Sequence, residues 1–321
     1  MDKISILGGS GFLGNSLVKL LEKRNLNYVA CDISVPENTK HAINLDVESE
    51  TSLNQLEGTK ILINLAAEHH DNVFPVSRYD DVNVEGARKI CDAARRLNIK
   101  QIIFTSSVAV YGFAPPETDE TGEINYFNDY GRTKFLAENI YKEWFLEDTE
   151  SRSLTIVRPT VIFGEGNRGN VYNLLNQISS KRFVIFGDGK NYKSMAYVEN
   201  VASFLEHCLT LNSGFNLFNY SDKPDMNMND LVKLARKNIL GKDNLGIHLP
   251  RFLGLFLASI FDVFSFFMRK NLPISKIRVK KFMETTQFSS SEIKKTDFKP
   301  KISLEEGLIR TIEYEFNSKD A

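Results

Sequence analysis

The chain has 321 residues, of which 42% are hydrophobic and 25% are charged, and its formal net charge is -1. This balance gives no electrostatic case for nucleic acid as a main partner, and the length allows a nucleotide-binding domain plus a smaller second one. Its three cysteines show no paired spacing and no charged and apolar leader precedes the first strand, so we expect a cytoplasmic protein.

The first predicted strand covers residues 4–7 and runs into a glycine-rich turn at residues 8–14. A helix follows, because leucines recur at helical spacing from residue 13 to residue 21. Gly8, Gly11 and Gly14 therefore occupy a strand-to-helix turn. In such a turn the backbone can approach a pyrophosphate, and the helix N-terminus can face its charge.

The second predicted strand, residues 28–32, ends in a carboxylate. Asp32 lies 18 residues beyond Gly14, which is close to the spacing of a group that binds the adenosine ribose hydroxyls. This carboxylate would repel a 2′-phosphate, and no arginine follows it before Pro36. The sequence therefore predicts NAD rather than NADP as the cofactor.

Further strand signals at residues 42–46, 60–67, 101–105 and 154–158 alternate with helical patterns. This order predicts an α/β fold with a Rossmann-like, doubly wound parallel sheet, whose ligand binds at the carboxyl ends of the strands. One crevice could gather the groups that follow these ends, namely Gly8, Asp32, Asp46, Ala66, Ser107 and Pro159.

The pattern loosens beyond residue 165, where helices are predicted at residues 170–180, 198–211, 228–239 and 251–268. We expect residues 1–165 to form the nucleotide-binding domain. Residues 166–321 should form a smaller, mainly helical substrate domain that is interleaved with the first near its start. The five histidines, including the adjacent His69 and His70, show no metal-ligand spacing with cysteines, so we expect no metal.

Tyr130 and Lys134 are four residues apart, which on a helix places phenol and ammonium on one face. A free tyrosine is a poor base at neutral pH, and we expect the neighbouring lysine to lower its pKa by favouring the phenolate. The pair follows Ser107, which lies just after the fifth predicted strand. This arrangement predicts a proton-transfer site.

Together these residues resemble the extended short-chain dehydrogenase/reductase family, and its sugar-nucleotide epimerase/dehydratase branch in particular, over nearly the whole chain. Asn83-Val84-Glu85-Gly86 is similar to the family's Asn-Val-x-Gly segment, and Arg158-Pro159 to the turn that approaches nicotinamide. The resemblance implies NAD contacts at Gly8, Gly11, Phe12, Leu13, Gly14, Asp32, Asp46, Val47, Leu65, Ala66, Ala67, Asn83, Thr105, Tyr130, Lys134 and Pro159.

The resemblance also implies the catalytic roles. Tyr130 as phenolate takes a proton from a substrate hydroxyl while hydride leaves the same carbon for NAD. Ser107 hydrogen-bonds that oxygen, and Lys134 binds the nicotinamide ribose and holds down the pKa of Tyr130. A dehydratase of this family would carry an Asp-Glu pair directly after the serine, where this chain has Val108 and Ala109. Without a second acid or base, hydride returns to the same carbon, as in a 4-epimerase.

The substrate side resembles, in particular, bacterial epimerases that act on N-acetylglucosaminyl diphospho-undecaprenol in O-antigen synthesis. The similarity rests on long runs at residues 65–73, 105–112, 158–165, 167–175, 191–198 and 278–282. It implies interconversion of GlcNAc and GalNAc on the lipid carrier. Lys193 stands where nucleotide-sugar epimerases carry a diphosphate-binding arginine, and we expect sugar or diphosphate contacts at Ser107, Arg168, Asn170 and Lys193.

Other functions stay open at this point. A 4-epimerase of UDP-GlcNAc or UDP-glucose would use the same residues. A hydroxysteroid-type NAD-dependent dehydrogenase would also use Ser107, Tyr130 and Lys134, but it would produce net NADH. A non-catalytic NAD sensor would more often lack the tyrosine. A homodimer is a further partner that the sequence leaves open.

Residues 252–268 are largely apolar and carry one acid, yet they are too short and interrupted to span a bilayer comfortably. Basic residues follow, namely Arg269, Lys270, Lys276, Arg278, Lys280 and Lys281. An apolar face beside a basic stretch suits an anionic membrane surface, so we expect peripheral binding at the cytoplasmic face of the inner membrane. The alternative is a lid helix packed on the sheet domain.

Overall fold

The computed structural model describes residues 2–35, 41–70, 73–181, 183–211, 213–254, 256 and 283–317. Its central feature is a seven-stranded sheet in which every neighbouring pair is parallel. The strands are β1 (Lys3–Leu7), β2 (Tyr28–Asp32), β3 (Ala42–Asn44), β4 (Thr59–Asn64), β5 (Gln101–Thr105), β6 (Ser153–Pro159) and β11 (Phe215–Tyr220). Most of these strands are buried and apolar and are joined by helices, so they can pair in parallel with both faces covered.

The spatial order of the strands is β11-β6-β5-β4-β1-β2-β3. The chain starts in the middle at β1, fills one edge with β2 and β3, and returns to build the other half from β4 onward. The order therefore reverses between β1 and β4, where an open α/β sheet binds its ligand. The predicted doubly wound α/β fold is confirmed.

Helices cover both faces of the sheet. Their bounds are α1 (Phe12–Lys23), α2 (Glu50–Leu53), α3 (Gly86–Arg96), α4 (Asp129–Leu146), α5 (Asn170–Ser179), α6 (Val198–His207), α7 (Met228–Leu240) and α8 (Leu304–Ile312). One core packs Leu17 of α1 and Phe204 of α6 against the sheet, and a second packs Ile90 of α3 and Trp144 of α4 against the opposite face. The predicted helices at residues 170–180, 198–211 and 228–239 correspond to α5, α6 and α7, the second of which ends in a 3-10 turn at Cys208–Thr210.

A third core lies outside the sheet, where α5, α7 and α8 pack with Phe163 and Tyr197. Its strands form three small pairs: β7 (Val161–Phe163) with β10 (Met195–Tyr197), β8 (Val184–Phe186) with β13 (Ile247–Leu249), and β9 (Tyr192–Lys193) with β12 (Met226–Asn227). The seven-stranded sheet nevertheless takes β11 and its covering helix α6 from beyond residue 165. The division of the chain at residue 165 stays a prediction.

The predicted apolar helix at residues 251–268 lies largely outside the described residues, as do the basic positions 269–281. In the part of the chain that the structure describes, every helix is too short or too polar to cross a bilayer.

Candidate active site

The glycine-rich turn after β1 leaves bare backbone at the centre of the sheet edge. Gly8 adopts φ 77°, and a Cβ there would lie 2.8 Å from the backbone nitrogen of Ala66. A Cβ on Gly14 would lie 2.2 Å from the Gly8 oxygen, so helix α1 can approach the turn this closely only at glycine. Gly11 caps α1, which begins at Phe12 and Leu13. Bare backbone at a helix N-terminus fits a pyrophosphate, as the sequence predicts.

Asp32 lies directly beside this turn. Its Oδ2 accepts a hydrogen bond from the Ser10 backbone N–H at 3.0 Å, which fixes the carboxylate against the glycine loop. Two residues after β3, Asp46 accepts from the Glu48 N–H at 2.8 Å, while Val47 is buried against Gly86. The structure therefore brings the predicted ribose acid to the glycine turn. The NAD contacts expected at Asp46 and Val47 stay predictions.

Two asparagines fasten the loop that follows β4, which contains Leu65, Ala66 and Ala67. The Ala66 N–H donates to Oδ1 of Asn64 at 3.0 Å. Asn83 accepts from the Glu68 N–H at 2.8 Å and donates to Thr133 Oγ1 at 3.0 Å. Because Thr133 lies on α4, these bonds tie the loop to the helix that carries Tyr130 and Lys134. We expect Asn83 to act on the cofactor through this loop.

His69 and His70 extend the same loop toward solvent. Their rings stack with centroids 4.4 Å apart, and the Nδ1 of His70 lies 2.9 Å from a carboxylate oxygen of Glu68. The Tyr79 hydroxyl donates to the His70 carbonyl oxygen. Among the described residues, no group of three His, Cys, Asp or Glu side chains is placed to hold a metal, and the absence of a metal stays a prediction.

Ser107 and Tyr130 meet because a turn and a helix approach closely. Ser107 caps the 3-10 helix Val108–Tyr111 by accepting from the Ala109 N–H at 3.1 Å. Asn128 caps α4, and a Cβ on Gly131 would lie 2.5 Å from the Ala109 oxygen. Glycine at this position lets the start of α4 pack against the serine turn. The Ser107 hydroxyl therefore lies close enough to Tyr130 for hydrogen bonding to lower the pKa of the phenol.

The protonation of the pair differs from the prediction. Burial raises the pKa of Tyr130 to about 12, and the hydrogen bond with Ser107 offsets only part of this shift. Burial also lowers the pKa of Lys134 to about 7, although the Glu138 carboxylate opposes the change. The Lys134 ammonium lies 4.4 Å from the Phe104 ring centroid. The predicted lowering of the tyrosine pKa by lysine is therefore wrong, because desolvation by burial is the largest effect on the Tyr130 phenol.

A buried ion pair fixes α4 to the sheet one turn beyond Lys134. Glu138 is fully buried and Arg158 is 2% exposed. The guanidinium donates from Nε to Oε1 of Glu138 at 2.8 Å and from Nη2 to Oε2 at 2.6 Å. Ser106, the neighbour of Ser107, donates to the same carboxylate at 2.6 Å. The carboxylate thus joins α4, β6 and the turn that carries the serine.

The Arg158 guanidinium also connects to β11 through a chain of hydrogen bonds. Its Nη1 donates to the Tyr111 hydroxyl at 2.5 Å, which in turn donates to Oδ1 of Asn219 on β11 at 2.8 Å. The Asn219 N–H donates to Glu120 at 2.6 Å, in the loop between Tyr111 and α4. Buried polar groups of this kind contribute to a unique geometry only when they are all satisfied.

Thr105 and Pro159 close the catalytic edge of the sheet. Both are buried at the carboxyl ends of their strands, β5 and β6. No described residue hydrogen-bonds the Thr105 hydroxyl. Their predicted contacts with the cofactor stay predictions.

Apart from Ser107, the predicted substrate residues lie near the start of α5 and on β9, outside the seven-stranded sheet. Lys193, on β9, donates from its ammonium to the Glu284 carbonyl oxygen at 2.6 Å. Arg168 pairs with Glu315 and lies 4.3 Å from the Tyr172 ring centroid. Asn170 is exposed at the first turn of α5. Arg168 is thus already neutralised by a carboxylate that the sequence did not predict as its partner.

Glu138 is the main residue that sequence reasoning missed. It lies four residues after Lys134 and eight after Tyr130, so it occupies the same face of α4. That spacing was visible in the sequence, but a carboxylate on a helix is usually solvated. Only the position of Arg158 on the neighbouring strand shows that the face is buried.

Glu138→Ala should lower the free energy of unfolding by about 3–5 kcal/mol, because it leaves the Arg158 charge buried without its partner. The matched control is Glu147→Ala, since Glu147 pairs with Arg95 and Arg152 just after α4 but has a side chain that is 42% exposed. That control should cost about 1 kcal/mol or less. Urea unfolding measures both, and equal losses would contradict a structural role for the buried pair.

Lys134→Met should change how stability depends on pH. The lysine pKa is about 7 in the folded protein and about 10.4 in an unfolded chain. Between these values the unfolded chain binds more protons, so wild-type stability rises with pH, whereas the variant lacks this contribution. We expect the variant to be more stable than the wild type at pH 7.5, because it has no lysine charge to bury. This difference in the free energy of unfolding should shrink by about 1.4 kcal/mol per pH unit above pH 7.5. Urea unfolding of cofactor-free protein at pH 7.5, 8.2 and 9 measures this, and a constant difference would refute it.

Known proteins with similar sequences include NAD-dependent enzymes of one family, which agrees with the glycine turn and the Ser107, Tyr130 and Lys134 site. The model of the NAD dependent epimerase/dehydratase family matches residues 4–219. The chain is 43% identical over 326 residues to N-acetyl-alpha-D-glucosaminyl-diphospho-ditrans,octacis-undecaprenol 4-epimerase of Escherichia coli O157:H7, with 98% of this chain and 96% of that protein covered. It is 26% identical over 350 residues to a decarboxylating sterol-4-alpha-carboxylate 3-dehydrogenase of Candida albicans, covering 98% of this chain and 97% of that protein.

Among solved structures, MoeE5 in complex with UDP-glucuronic acid and NAD has a TM-score of 0.77 and 19% sequence identity. The match covers 98% of this chain and 99% of that one. At this identity the likeness concerns the fold alone. Since the family model covers most of the chain and a full-length relative shares more than a third of its residues, the protein belongs to the NAD-dependent epimerase/dehydratase family.

Proposed function

We propose that this protein is an NAD-dependent 4-epimerase that interconverts GlcNAc and GalNAc linked through a diphosphate to undecaprenol. The observation that carries the proposal is the assembly of Ser107, Tyr130 and Lys134 at the sheet edge beside the glycine turn, in a chain with a full-length 4-epimerase relative. The O-antigen or another surface polysaccharide is the destination of such a sugar.

In the proposed reaction Tyr130 removes the proton from the substrate's 4-hydroxyl. NAD held beside the glycine turn would supply the acceptor for the hydride of that carbon and the donor for its return. Ser107 hydrogen-bonds the same oxygen, and Lys134, one helical turn from Tyr130, holds the nicotinamide ribose. Burial raises the pKa of Tyr130 to about 12, and positive charge close to the phenol would favour its phenolate form.

The residues next to Ser107 support epimerisation rather than dehydration. Val108 and Ala109 follow it in the 3-10 turn, and neither can act as an acid or a base. Dehydration therefore lacks its acid and base beside Ser107, and the proposed outcome for the 4-keto intermediate is return of hydride to the same carbon. The configuration inverts when the sugar presents its opposite face.

The cofactor would be held by groups from several strand ends. We assign the pyrophosphate to the turn with Gly8, Gly11 and Gly14 and to the start of α1 at Phe12 and Leu13, and the adenosine ribose to Asp32. We assign the remaining cofactor contacts to Asp46, Val47, Leu65, Ala66, Ala67, Asn83, Thr105 and Pro159. Lys193 is the proposed diphosphate contact. Arg168 would have to exchange Glu315 for the substrate, and Asn170 would contact the sugar from the start of α5.

Two other activities each have one supporting observation. A UDP-sugar 4-epimerase is favoured by the similarity of the fold to structures solved with UDP-sugars. A hydroxysteroid-type dehydrogenase is favoured by the sterol dehydrogenase relative, which matches the chain over nearly its full length. A dehydrogenase releases the reduced cofactor, whereas an epimerase recycles it.

The first experiment follows from that difference. Purified protein, given GlcNAc diphospho-undecaprenol or UDP-GlcNAc in separate reactions, should convert the lipid-linked sugar to its 4-epimer without added NAD and without net NADH absorbance. The hydride leaves and returns within one cycle, so the cofactor is not consumed. Stoichiometric NADH accumulation would support the dehydrogenase, and turnover of UDP-GlcNAc alone would support the UDP-sugar epimerase.

Tyr130→Phe should reduce turnover by ~10² to 10⁴ while leaving NAD affinity within a few fold, because the phenol performs proton transfer and other groups hold the cofactor. Turnover comes from the separated product sugars and NAD affinity from isothermal titration. Tyr314→Phe, at a tyrosine that is 54% exposed, is the control and should leave both unchanged. A Tyr130→Phe enzyme with more than half of the wild-type activity would remove the tyrosine from its proposed role.

Peripheral membrane association belongs to the same proposal. The sequence around residues 269–281 is basic and follows an apolar stretch, which suits an anionic bilayer surface. Neutralising Arg269, Lys270, Lys280 and Lys281 together should weaken salt-sensitive binding to anionic liposomes. Unchanged binding of this variant in liposome sedimentation would exclude the basic stretch as the membrane contact. A homodimer stays a prediction.

A further inference from the structure

Two buried hydroxyl groups at the carboxyl edge of the sheet have no part in the chemistry described above. Thr160 directly follows β6 and Ser221 directly follows β11, and each residue is 6% exposed. Both hydroxyl oxygens are shielded from solvent, and no described residue hydrogen-bonds either of them. Buried polar side chains are nearly always hydrogen-bonded, so each exception needs an explanation. We refer to Thr160 and Ser221 as the hydroxyl pair.

The register of β6 and β11 makes the two residues neighbours. Tyr220 pairs with Pro159 in the parallel register, and the Thr160 N–H donates to the Tyr220 carbonyl oxygen at 2.9 Å. The pairing therefore continues past Pro159 and sets Thr160 beside Ser221. Neighbouring strands are about 4.8 Å apart. Two hydroxyls at adjacent positions on such strands can donate to the same acceptor.

The hydroxyl pair lies on the face of the sheet that α4 covers. Side chains alternate between the two faces along a strand. Arg158, two residues before Thr160, forms its ion pair with α4 on this face. Asn219, two residues before Ser221, accepts a hydrogen bond from Tyr111 there. The pair is therefore the next layer beyond the buried hydrogen-bond network, at the open end of the strands.

On one side the hydroxyl pair adjoins the catalytic serine. Thr105 of β5 pairs with Val157 of β6, and the Ser106 N–H donates to the Val157 carbonyl oxygen at 2.7 Å. The contact between the two strands thus extends to the residue before Ser107. Ser107 consequently lies beside the last residues of β6, and Thr160 follows these directly.

On the other side the hydroxyl pair is connected to the proposed diphosphate contact. The Ser290 hydroxyl lies 3.5 Å from the Ser221 carbonyl oxygen. Thr286, four residues earlier in the same segment, forms a β-bridge with Lys193. Four residues span at most about 14 Å. A sugar with its reacting carbon at Ser107 and its diphosphate at Lys193 would therefore extend past the hydroxyl pair.

We propose that the hydroxyl pair hydrogen-bonds the carbonyl oxygen of the substrate's 2-acetamido group and makes the site selective for N-acetylated sugars. This inference rests on the proposed function, which supplies the acetamido group and fixes the two ends of the sugar. The group is attached next to the carbon that bears the diphosphate and two carbons from C4, so it falls between Lys193 and Tyr130. Its carbonyl oxygen has two lone pairs and accepts from two hydroxyls. A sugar without the group would leave both hydroxyls unpaired, which is how buried polar groups reject an analogue.

The test uses Thr160→Val and Ser221→Ala, singly and together, because these changes remove the hydroxyls and little else. GlcNAc diphospho-undecaprenol is the substrate. Glucosyl diphospho-undecaprenol is measured as its competitive inhibitor, since it differs only in a 2-hydroxyl whose oxygen is two bonds closer to the ring. The double variant should raise the KM of the GlcNAc lipid about tenfold and leave kcat within about threefold. The Ki of the glucosyl lipid should change less than about twofold, because its hydroxyl does not reach the pair.

Thr155→Val is the matched control. Thr155 is a buried threonine of the same strand, and no described residue hydrogen-bonds its hydroxyl either. It lies in the interior of the sheet, paired with Ile103 of β5, away from the carboxyl edge. This variant should change neither the KM nor the Ki.

Contrary outcomes have separate meanings. Equal increases in KM and Ki would show that the hydroxyl pair shapes the crevice without recognising the acetamido group, and an unchanged KM would show that this group binds elsewhere; either result overturns the inference. If the wild type converts UDP-GlcNAc but not the lipid-linked sugar, the proposed carrier is wrong, and UDP-GlcNAc with UDP-glucose then provides the same comparison for the hydroxyl pair. Absence of turnover with both carriers would overturn the proposed function, and the inference with it.

Discussion

The ion pair between Glu138 and Arg158 is the interaction on which the geometry of the site depends. Removing two charges from water is expensive, and the cost is offset only when every donor and acceptor has a partner. Here the carboxylate receives the guanidinium in a bidentate arrangement and the Ser106 hydroxyl, and the guanidinium also reaches Tyr111. These partners exist in only one relative placement of α4, β5 and β6, so the pair specifies that placement.

Glycine at Gly131 permits the same placement sterically, because helix α4 begins in backbone contact with the serine turn. The ion pair then holds the helix at a second point, two turns further along. A helix held at two points resists rotation about its axis. Lys134 lies between these points, and Tyr130 directly precedes the first of them on the same helix face as Lys134. The serine turn and the start of α4 therefore hold the Ser107 and Tyr130 side chains next to each other. Such preorganisation is what positions reacting groups in enzymes.

Much of this arrangement was predictable from local patterns. The alternation of strands and helices predicted the parallel sheet, and the strand ends predicted where Gly8, Asp32 and Ser107 would gather. Features that depend on distant partners were not predictable: the pairing of Arg168 with Glu315 joins residues 147 positions apart. The pKa direction of Tyr130 was also mispredicted, since a sequence shows the neighbouring lysine but not the depth of burial that outweighs it.

The late position of β11 in the chain has a consequence for how the protein is made. Residues 215–220 complete the sheet by pairing with residues 154–159 of β6, and α6, which covers the neighbouring face, also follows the excursion through the third core. During synthesis β6 leaves the ribosome more than fifty residues before its partner. Throughout that interval the nascent sheet has an apolar open edge, of the kind that pairs with other chains. Cotranslational folding of this protein therefore depends on protection of one strand until its last neighbour is translated.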